Sequence, residues 1–249
     1  MTQLSAAIIT YNEEKKLEEC LRSISFVDEI VIVDSGSTDG TRAIAERFKA
    51  RFSTRPFDNF AAQKNEAIRQ TRGEWILLID ADERITPELA REIQSILAAA
   101  DAKNSYELRR LNFFLGRPLR YGAALNDWQL RLIRRGEGLF EGLVHERVRV
   151  QSGCGRLKSW MHHHSTQTME EYFKRFSLYT RLEGEVLGRR GKPRGIEMAV
   201  RPLIQFIYFY FFRLGFLDGF TGFQYQILSS FYTFVKYLKA FEHFEKETV

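Results

Sequence analysis

Residues 1–100 alternate short apolar runs with segments in which apolar residues recur at helical spacing. The runs predict four strands, at residues 5–10, 29–34, 51–54 and 74–79. The segments after them predict helices: Asn12 offers a cap for the first, and the last takes Thr86 as cap and Pro87 as first residue and runs to about Ala100. Strands separated by helices favour a mostly parallel sheet with right-handed crossovers, whose ligands bind beyond the carboxyl ends of the strands.

Beyond residue 105 the pattern changes to short runs broken by glycine and polar residues. These runs, at residues 106–111, 130–133, 146–150 and 157–163, predict a smaller mixed or antiparallel extension of the sheet. Residues 169–187 have helical spacing, and the segment 188–195, rich in glycine and arginine, predicts a linker.

Two aromatic stretches follow the linker. Residues 203–212 are apolar almost all round, but Arg213 ends the run at about half the length that a membrane-spanning helix needs. Residues 223–241 are aromatic and interrupted by glutamine and lysine, which suits a helix that lies in a membrane interface or packs against the first stretch. The alternative is a helical hairpin that is buried on the sheet domain or in a dimer.

Charge and cysteine content narrow the partners and the compartment. The 249 residues carry a net charge of +5, and basic residues concentrate between Arg189 and Arg213, beside the aromatic stretches. This composition fits nucleic acid, an anionic membrane surface or a solvated basic loop, and the aromatic tail favours the membrane and no nucleic acid. Cys20 and Cys154 cannot form a disulfide framework, and the first residues have no leader pattern, so we expect a cytoplasmic protein.

Carboxylates stand at the ends of two predicted strands. Asp80 and Asp82 directly follow the fourth strand, and Asp34 ends the second. Mg²⁺ and Mn²⁺ prefer oxygen ligands and bind through one or two carboxylates plus substrate phosphates. The first hypothesis for this edge of the sheet is therefore a metal–diphosphate site, although acidic pairs of this kind also occur in ordinary loops.

Four motifs in order along the chain give a family resemblance. They are residues 8–13 (IITYNE), 31–41 (VIVDSGSTDGT), 64–65 (KN) and 78–83 (LIDADE). With them the chain resembles the family 2 glycosyltransferases, and it is most similar to the lipopolysaccharide-core β-glucosyltransferase branch. The resemblance implies an α/β fold of the GT-A, Rossmann-like type: a mostly parallel mixed sheet flanked by helices, a nucleotide diphosphate sugar as donor, and Mg²⁺ or Mn²⁺ as cofactor.

The resemblance also implies a nucleotide site. Thr10, Asn12 and Glu13 lie where the family binds the nucleotide, and Asp34 matches the acid that contacts the base. Lys64 and Asn65 are expected to add nucleotide contacts. Each has a plainer alternative: Asn12 as a helix cap, Glu13 as a favourable charge in the first helical turn, Asp34 as a turn former and Lys64 as a solvated helix lysine.

For the metal, the resemblance favours Asp82 as direct ligand, with Asp80 binding the ribose or the metal through water. Three consecutive histidines, 162–164, cannot all ligate one ion from a strand, because neighbouring side chains point to opposite faces. By resemblance His164 is the one expected to complete the metal site or contact the diphosphate, and a surface histidine is the alternative.

Inversion at the sugar requires a base that deprotonates the incoming hydroxyl. Glu146 matches the acceptor-side acid of the family, and Asp127 is the second candidate. The chain departs from the commonest family pattern, which has an aspartate after a glutamate here, and Glu146 can also be an ordinary strand acid. The Gln-x-x-Arg-Trp motif of processive synthases is not found, which favours addition of a single sugar.

These expectations combine into one predicted organisation and function. Residues 1–187 form the transferase domain, with a nucleotide-binding half (1–100), an acceptor-side half (101–165) and a helix (166–187), and residues 188–249 form an amphipathic aromatic tail. The predicted enzyme is an inverting, metal-assisted hexosyltransferase that acts on a lipid-linked glycan. It is expected to be peripheral on the inner face of the cytoplasmic membrane.

Three alternatives remain open at this point. A transferase of this kind can use a polyprenyl phosphate acceptor. A phosphotransferase of the haloacid dehalogenase kind also has Asp-x-Asp after an apolar strand, although it wants threonine or valine where this chain has Arg84. A non-catalytic membrane- or glycan-binding module with a degenerate transferase fold is the third, whereas a dinucleotide dehydrogenase is disfavoured because no Gly-x-Gly-x-x-Gly follows the first strand.

Overall fold

The computed structural model describes residues 3–141, 147–150 and 153–248. Its first hundred residues alternate strands and helices as predicted, apart from one short strand at residues 83–85 that was not predicted. The elements are β1 (Leu4–Thr10), α1 (Glu14–Ser23), β2 (Glu29–Asp34), α2 (Thr41–Arg47), β3 (Arg51–Thr54), α3 (Phe60–Gln70), β4 (Trp75–Leu78), β5 (Glu83–Ile85) and α4 (Pro87–Ala98). Strands β3, β2, β1 and β4 pair in that order and are parallel, so the predicted parallel half of the sheet is confirmed.

Six further strands follow among the described residues. They are β6 (Ser105–Phe114), β7 (Arg117–Leu119), β8 (Trp128–Arg134), β9 (Gly138–Glu141), β10 (Arg147–Val150) and β11 (Cys154–Thr166). Four of them, β6, β7, β8 and β11, extend this sheet through antiparallel pairs. The order is β3-β2-β1-β4-β8-β6-β11-β5, with β7 paired to β6, while β9 and β10 form a separate antiparallel ribbon. The predicted mixed sheet flanked by helices is therefore confirmed.

Local signals in the sequence explain where the first helices begin and which face they bury. Thr86 caps α4, since its hydroxyl accepts a hydrogen bond from the Leu89 N–H, and Pro87 follows as the first helical residue. Helix α1 buries Leu17, Cys20 and Leu21 against the sheet. Burial raises the pKa of the Cys20 thiol, which keeps it protonated and inert.

The chain divides into two compact units: the described residues of 1–110 and 126–163, and those of 111–125 and 164–248. The second unit contains α5 (Met169–Gly188), α6 (Gly195–Ile207), a π-helical turn (Tyr208–Phe212), a 3₁₀ turn (Gly215–Asp218) and α7 (Gly219–Thr248). The predicted domain boundary after residue 187 falls in the last turn of α5, and the division into transferase domain and tail stays a prediction.

Helices α5 and α6 both pack on α7. Tyr232 donates a hydrogen bond to Glu183 of α5, and Thr233 donates one to Gln205 of α6. A Cβ at Gly188 would lie 2.7 Å from the carbonyl oxygen of Ala240, so this close helix contact requires glycine. Within the described residues, no helix alone has the length and apolar content of a membrane span, while the pair 195–212 and 215–246, bent by 74°, reaches that standard jointly.

Candidate active site

The parallel strands bring the predicted nucleotide residues to one edge of the sheet. Thr10 and Asp34 are register partners at the ends of β1 and β2, and Asp80 follows β4, which pairs with β1 on its other side. The Thr10 hydroxyl donates to Asp34 across 2.7 Å. The sequence thus correctly predicted that these residues share one edge.

Asp34 organises the loop that follows β2. It is 2% exposed and accepts hydrogen bonds from the backbone N–H groups of Gly36 and Ser37, at 2.9 and 2.7 Å, and from the Ser37 hydroxyl, at 2.6 Å. Gly36 has a φ of +93°, which side chains disfavour. Asp34 therefore forms the turn after β2, as the plainer alternative expected. Its contact with the base of a nucleotide stays a prediction.

Asn12 does not cap α1, contrary to the prediction. The residue adopts the left-handed conformation, with a φ of +56°, and its side-chain oxygen accepts a hydrogen bond from the Thr38 N–H at 2.9 Å. Glu13 occupies the cap position without a side-chain cap, and the Asp39 carboxylate from the next loop accepts the Glu14 N–H instead. Asn12 thus ties together the two loops at the nucleotide edge, and Glu13 lies one position before the helical turn in which it was expected.

Asp80 is held by two cations. Its carboxylate oxygens lie 3.2 Å from the Lys64 ammonium and 2.6 Å from an Arg131 guanidinium nitrogen. The Arg131 side chain is 5% exposed, and the same nitrogen donates to Glu83, which is fully buried. The second oxygen of Glu83 accepts the Asp80 N–H at 3.0 Å. We call Asp80, Asp82, Glu83, Lys64 and Arg131 the acidic corner.

The charges of the acidic corner fix the protonation of Asp80. Burial raises the pKa of this carboxyl, but the neighbouring Arg131 and Lys64 outweigh it and hold the pKa well below its usual range. For Arg131, burial lowers the pKa, but the attraction of Asp80 and Glu83 outweighs burial and raises the pKa of the guanidinium above its usual value. Asp80 is therefore a permanent anion that is already neutralised by the protein.

Asp82 pairs with a histidine. Its carboxylate lies 3.6 Å from Nε2 of His163, and both side chains are largely buried. Burial raises the pKa of Asp82, but His163 more than compensates and keeps the carboxyl ionised. His164, the predicted ligand, belongs to the second unit, where its ring stacks on Phe113 at 4.3 Å. Its role toward a metal stays a prediction, and the pairing of His163 with Asp82 counts against it, because neighbouring side chains on a strand point to opposite faces.

The donor set of Asp82 fits a metal that a diphosphate also holds. No three histidine, cysteine or acidic residues gather into a metal-binding group in the part of the chain that the structure describes. Mg²⁺ and Mn²⁺ on nucleotide substrates commonly use only one or two carboxylates, with phosphates and waters as the other ligands. Asp82 supplies such a carboxylate, whereas both oxygens of Asp80 already face cations, which favours the predicted indirect role of Asp80.

Lys64 and Asn65 lie together on α3. Lys64 is mostly buried, with its ammonium 5.1 Å from the centre of the Phe140 ring, so the solvated-lysine alternative is wrong. The Asn65 amide donates to the Phe140 carbonyl and accepts the Phe140 N–H, at 3.0 and 2.8 Å. Asn65 therefore fastens β9 to α3, and its predicted contact with the nucleotide is not tested by these bonds.

The first base candidate, Glu146, lies outside the described residues, while Asp127 directly precedes β8. Arg110 binds Asp127 in a two-pronged ion pair, at 2.9 and 3.2 Å, and Gln129 donates to the same carboxylate at 2.8 Å. Arg110 also lies 3.4 Å from Glu83. A chain of ion pairs thus links Asp127 to the acidic corner, and both residues that join it, Arg110 and Arg131, were missed in the sequence.

The sequence of this chain is similar to those of known glycosyltransferases along most of its length. The model of the family described as Glycosyl transferase family 2 matches residues 5–162. The lipopolysaccharide core biosynthesis glycosyltransferase LpsC of Rhizobium meliloti is 32% identical over 243 residues, which is 91% of this chain and 90% of that protein. The uncharacterized glycosyltransferase RT0209 of Rickettsia typhi is 28% identical over 254 residues, and the matched region covers 96% of this chain and 87% of that protein.

A solved structure supports the fold. The crystal structure of Staphylococcus aureus TarS 1–349 in complex with UDP-GlcNAc superposes with a TM-score of 0.51 and 17% sequence identity. The matched region covers 99% of this chain and 91% of the TarS chain. The family match spans more than half of the chain, and the relatives extend over nearly all of it. The resemblance inferred from the four motifs is confirmed, and the chain belongs to glycosyltransferase family 2.

Proposed function

We propose that this glycosyltransferase moves a single hexose, with glucose as the first candidate, from a UDP-sugar to a lipid-linked glycan such as lipopolysaccharide core. The acidic corner is the observation that carries the proposal: ionised Asp80 and Asp82 stand at the carboxyl edge of a parallel sheet, beside the loops of Asn12 and Asp34. The name of the Rhizobium meliloti relative supports the class of acceptor.

The donor binds along the edge formed by β1, β2 and β4. The loops held by Asn12 and Asp34 supply polar groups for the base and the ribose, and Asp80, fixed by Arg131 and Lys64, accepts a hydrogen bond from a ribose hydroxyl. Lys64 brings a positive charge to the side on which the diphosphate lies. The ion pairs set this geometry before the donor arrives, so little reorganisation is required on binding.

Asp82 would hold the metal, and Asp80, whose two oxygens already face cations, would contribute through water. When bound, Mg²⁺ or Mn²⁺ would neutralise the negative charge that develops on the departing diphosphate. His163 orients the Asp82 carboxylate and keeps it ionised. Asp82 is thus available to a divalent cation without first losing a proton.

The transfer itself is a direct displacement. The acceptor oxygen attacks the anomeric carbon from the face opposite the leaving group, the bond from that carbon to the diphosphate oxygen breaks, and UDP departs. Glu146 takes the proton of the acceptor hydroxyl. Asp127 is the second candidate, but it would have to leave its ion pair with Arg110 to act as the base.

A lipid-linked acceptor places the enzyme at the cytoplasmic face of the cytoplasmic membrane. Enzyme and acceptor then meet on one surface, which raises their effective concentration. A polyprenyl phosphate acceptor is the competing substrate and is separated from lipopolysaccharide core by the acceptor arm of the test below.

The test is UDP or other nucleoside diphosphate release from a panel of UDP-, GDP- and ADP-sugars with Mn²⁺ or Mg²⁺. Each donor is assayed with truncated lipopolysaccharide core, with polyprenyl phosphate and without acceptor. We expect release from UDP-glucose with the core acceptor, its loss in Asp82→Asn, and normal release in the control Asp101→Asn, which changes an exposed loop carboxylate. Equal activity of Asp82→Asn and the native chain would contradict the proposed site.

A further inference from the structure

Helix α6 presents a continuous apolar stripe to solvent. Its members recur at helical spacing and continue into the π-helical turn: Ile196, Val200, Leu203, Ile204, Ile207 and Phe211. These side chains are between 39% and 70% exposed. Large exposed apolar patches are uncommon on soluble proteins and mark interaction surfaces, so this stripe requires a partner.

The bend between α6 and α7 extends the apolar surface. Five further exposed side chains lie there: Phe212, Leu214, Phe216, Leu217 and Phe220. The two charged residues of the bend turn inward, since Arg213 donates to the Leu125 carbonyl and Asp218 accepts the backbone N–H groups of Arg120 and Tyr121. The bend therefore exposes apolar groups while its charges are used within the unit.

The other side of α6 is committed to α7. Gln205 bonds with Ser229 and Thr233, Phe206 packs edge-on against Phe223, and Pro202 is buried. Glu197 and Arg201 lie between the two faces and form an ion pair at 3.4 Å. A helix with one apolar face, one packed face and charges along the flank suits a membrane interface, where the charged groups stay at the headgroups.

Charge identifies the type of surface. Residues 188–201, which lead into and form the first turns of α6, contain five basic residues and one acid. Arg189, Arg190 and Arg194 among them are exposed. Basic segments next to an apolar face attract anionic headgroups, whereas a second copy of this chain would bring the same positive charges against each other.

We propose that α6 is an in-plane membrane anchor that lies in the interface of an anionic bilayer, with the apolar stripe and the bend inserted among the lipids. Neither helix of the bent pair crosses the bilayer in this arrangement. The proposal goes beyond the sugar transfer and does not depend on it, because lipid binding needs neither donor nor acceptor.

Binding is measured by sedimentation of the full chain with vesicles of phosphatidylethanolamine and phosphatidylglycerol. The triple variant Leu203→Ser, Ile207→Ser, Phe211→Ser removes apolar groups from the stripe, and we expect vesicle partitioning to fall at least tenfold. The matched control is Phe173→Ser, Leu178→Ser, Val186→Ser, which removes similarly exposed side chains that are spread around α5; we expect less than a twofold change. Equal losses in the two variants would overturn the assignment to α6.

Spin labels along α6 distinguish an in-plane helix from a span. Labels introduced by cysteine substitution at positions 196, 200, 203 and 207 should be accessible to oxygen, and those at 197 and 201, on the charged flank, to an aqueous relaxant. A depth that changes steadily from 196 to 207 would mean a span and would overturn the proposal. Light scattering without lipid gives the remaining outcome: a dimer that the stripe variant dissociates would assign the surface to self-association instead.

These readouts are separable from the proposed function. If the protein releases UDP normally but does not bind vesicles, the transferase site is intact and only the anchor is refuted. Vesicle binding without turnover on any donor refutes the proposed function and leaves the anchor standing.

Discussion

Replacing Arg131 by methionine tests the charge arrangement of the acidic corner. The guanidinium is almost fully buried and contacts both Asp80 and fully buried Glu83. Methionine fills much of the same volume without the charge. After the substitution, the ion pair left to Glu83 among the described residues is the longer one with Arg110, at 3.4 Å, beside the hydrogen bond that Glu83 accepts from the Asp80 N–H. Asp80 keeps Lys64.

The expected cost follows from leaving buried carboxylates without their main partner. Removing one side of a buried ion pair typically lowers the free energy of unfolding by about 3–5 kcal/mol, a large share of the roughly 5–15 kcal/mol of a whole protein. At about 2–4 °C for each kcal/mol in a chain of this size, the melting temperature should fall by roughly 10 °C. Combining Arg131→Met with Glu83→Gln should recover part of this loss, because the second change removes the uncompensated charge.

Acidification provides an independent readout. The pKa of folded Asp80 is depressed, so its contribution to stability is complete above the pKa of the unfolded chain, about 4. The contribution begins to fall below that pH and is gone only when the pH passes below the pKa of the folded chain. Loss of Arg131 removes the largest of the attractions that depress this pKa, while Lys64 stays. The difference in unfolding free energy between the native chain and Arg131→Met should therefore narrow between pH 7 and pH 3.

The assays are thermal unfolding by circular dichroism and urea unfolding at each pH. Arg109→Met is the control, since it removes an arginine that lies over the Trp160 ring instead of bridging carboxylates. A melting temperature for Arg131→Met within about 2 °C of the native value would show that Arg131 does not stabilise the buried carboxylates. The same conclusion would follow if the losses in unfolding free energy of Arg131→Met and Glu83→Gln simply added in the double variant.

Three further predictions follow from single contacts. Thr86→Ala removes the cap of α4 and should lower the free energy of unfolding by about 1 kcal/mol in urea titrations, while Thr86→Ser should not. His163→Ala should raise the Mn²⁺ concentration for half-maximal UDP release at least several-fold, because Asp82 loses the partner that orients it; an unchanged metal titration would contradict this. Asn65→Leu unfastens β9, so we expect increased amide hydrogen exchange at Phe140 with little change in nucleotide affinity, and protection equal to that of the native chain would refute the tether.

Local patterns were enough to place the parallel strands and the carboxylates at their ends. β2 and β3 match their predicted bounds because each is a short run that is bounded by turn residues, and Asp34 and Asp80 follow from the rule that parallel strands end at one edge. Strand β11, at 13 residues, extends three residues beyond its predicted bounds at each end, through residues 154–156 and 164–166, which contain no alternation of apolar and polar residues that would predict a strand. The dehalogenase-like alternative rested on Asp-x-Asp alone and is not the family of this chain.

The partners of those carboxylates could not be inferred from local sequence. Arg131 reaches Asp80 from 51 positions away, and only the pairing of β4 with β8 brings the two together. The histidine that meets Asp82 is set by the register in which His163 pairs with Glu83. The backbone at Asn12 is left-handed, and this conformation depends on the loop of residues 35–40 that Asn12 contacts.

The measurement that tests the central claim most directly is calorimetric titration of UDP into the full chain with and without Mn²⁺. We expect Mn²⁺ to strengthen UDP binding in the native protein. In Asp82→Asn we expect this Mn²⁺ dependence to be lost while the affinity for UDP without Mn²⁺ is retained. The same affinity for UDP with and without Mn²⁺ in the native chain, or the same Mn²⁺ dependence in Asp82→Asn, would contradict a metal–diphosphate site at the acidic corner.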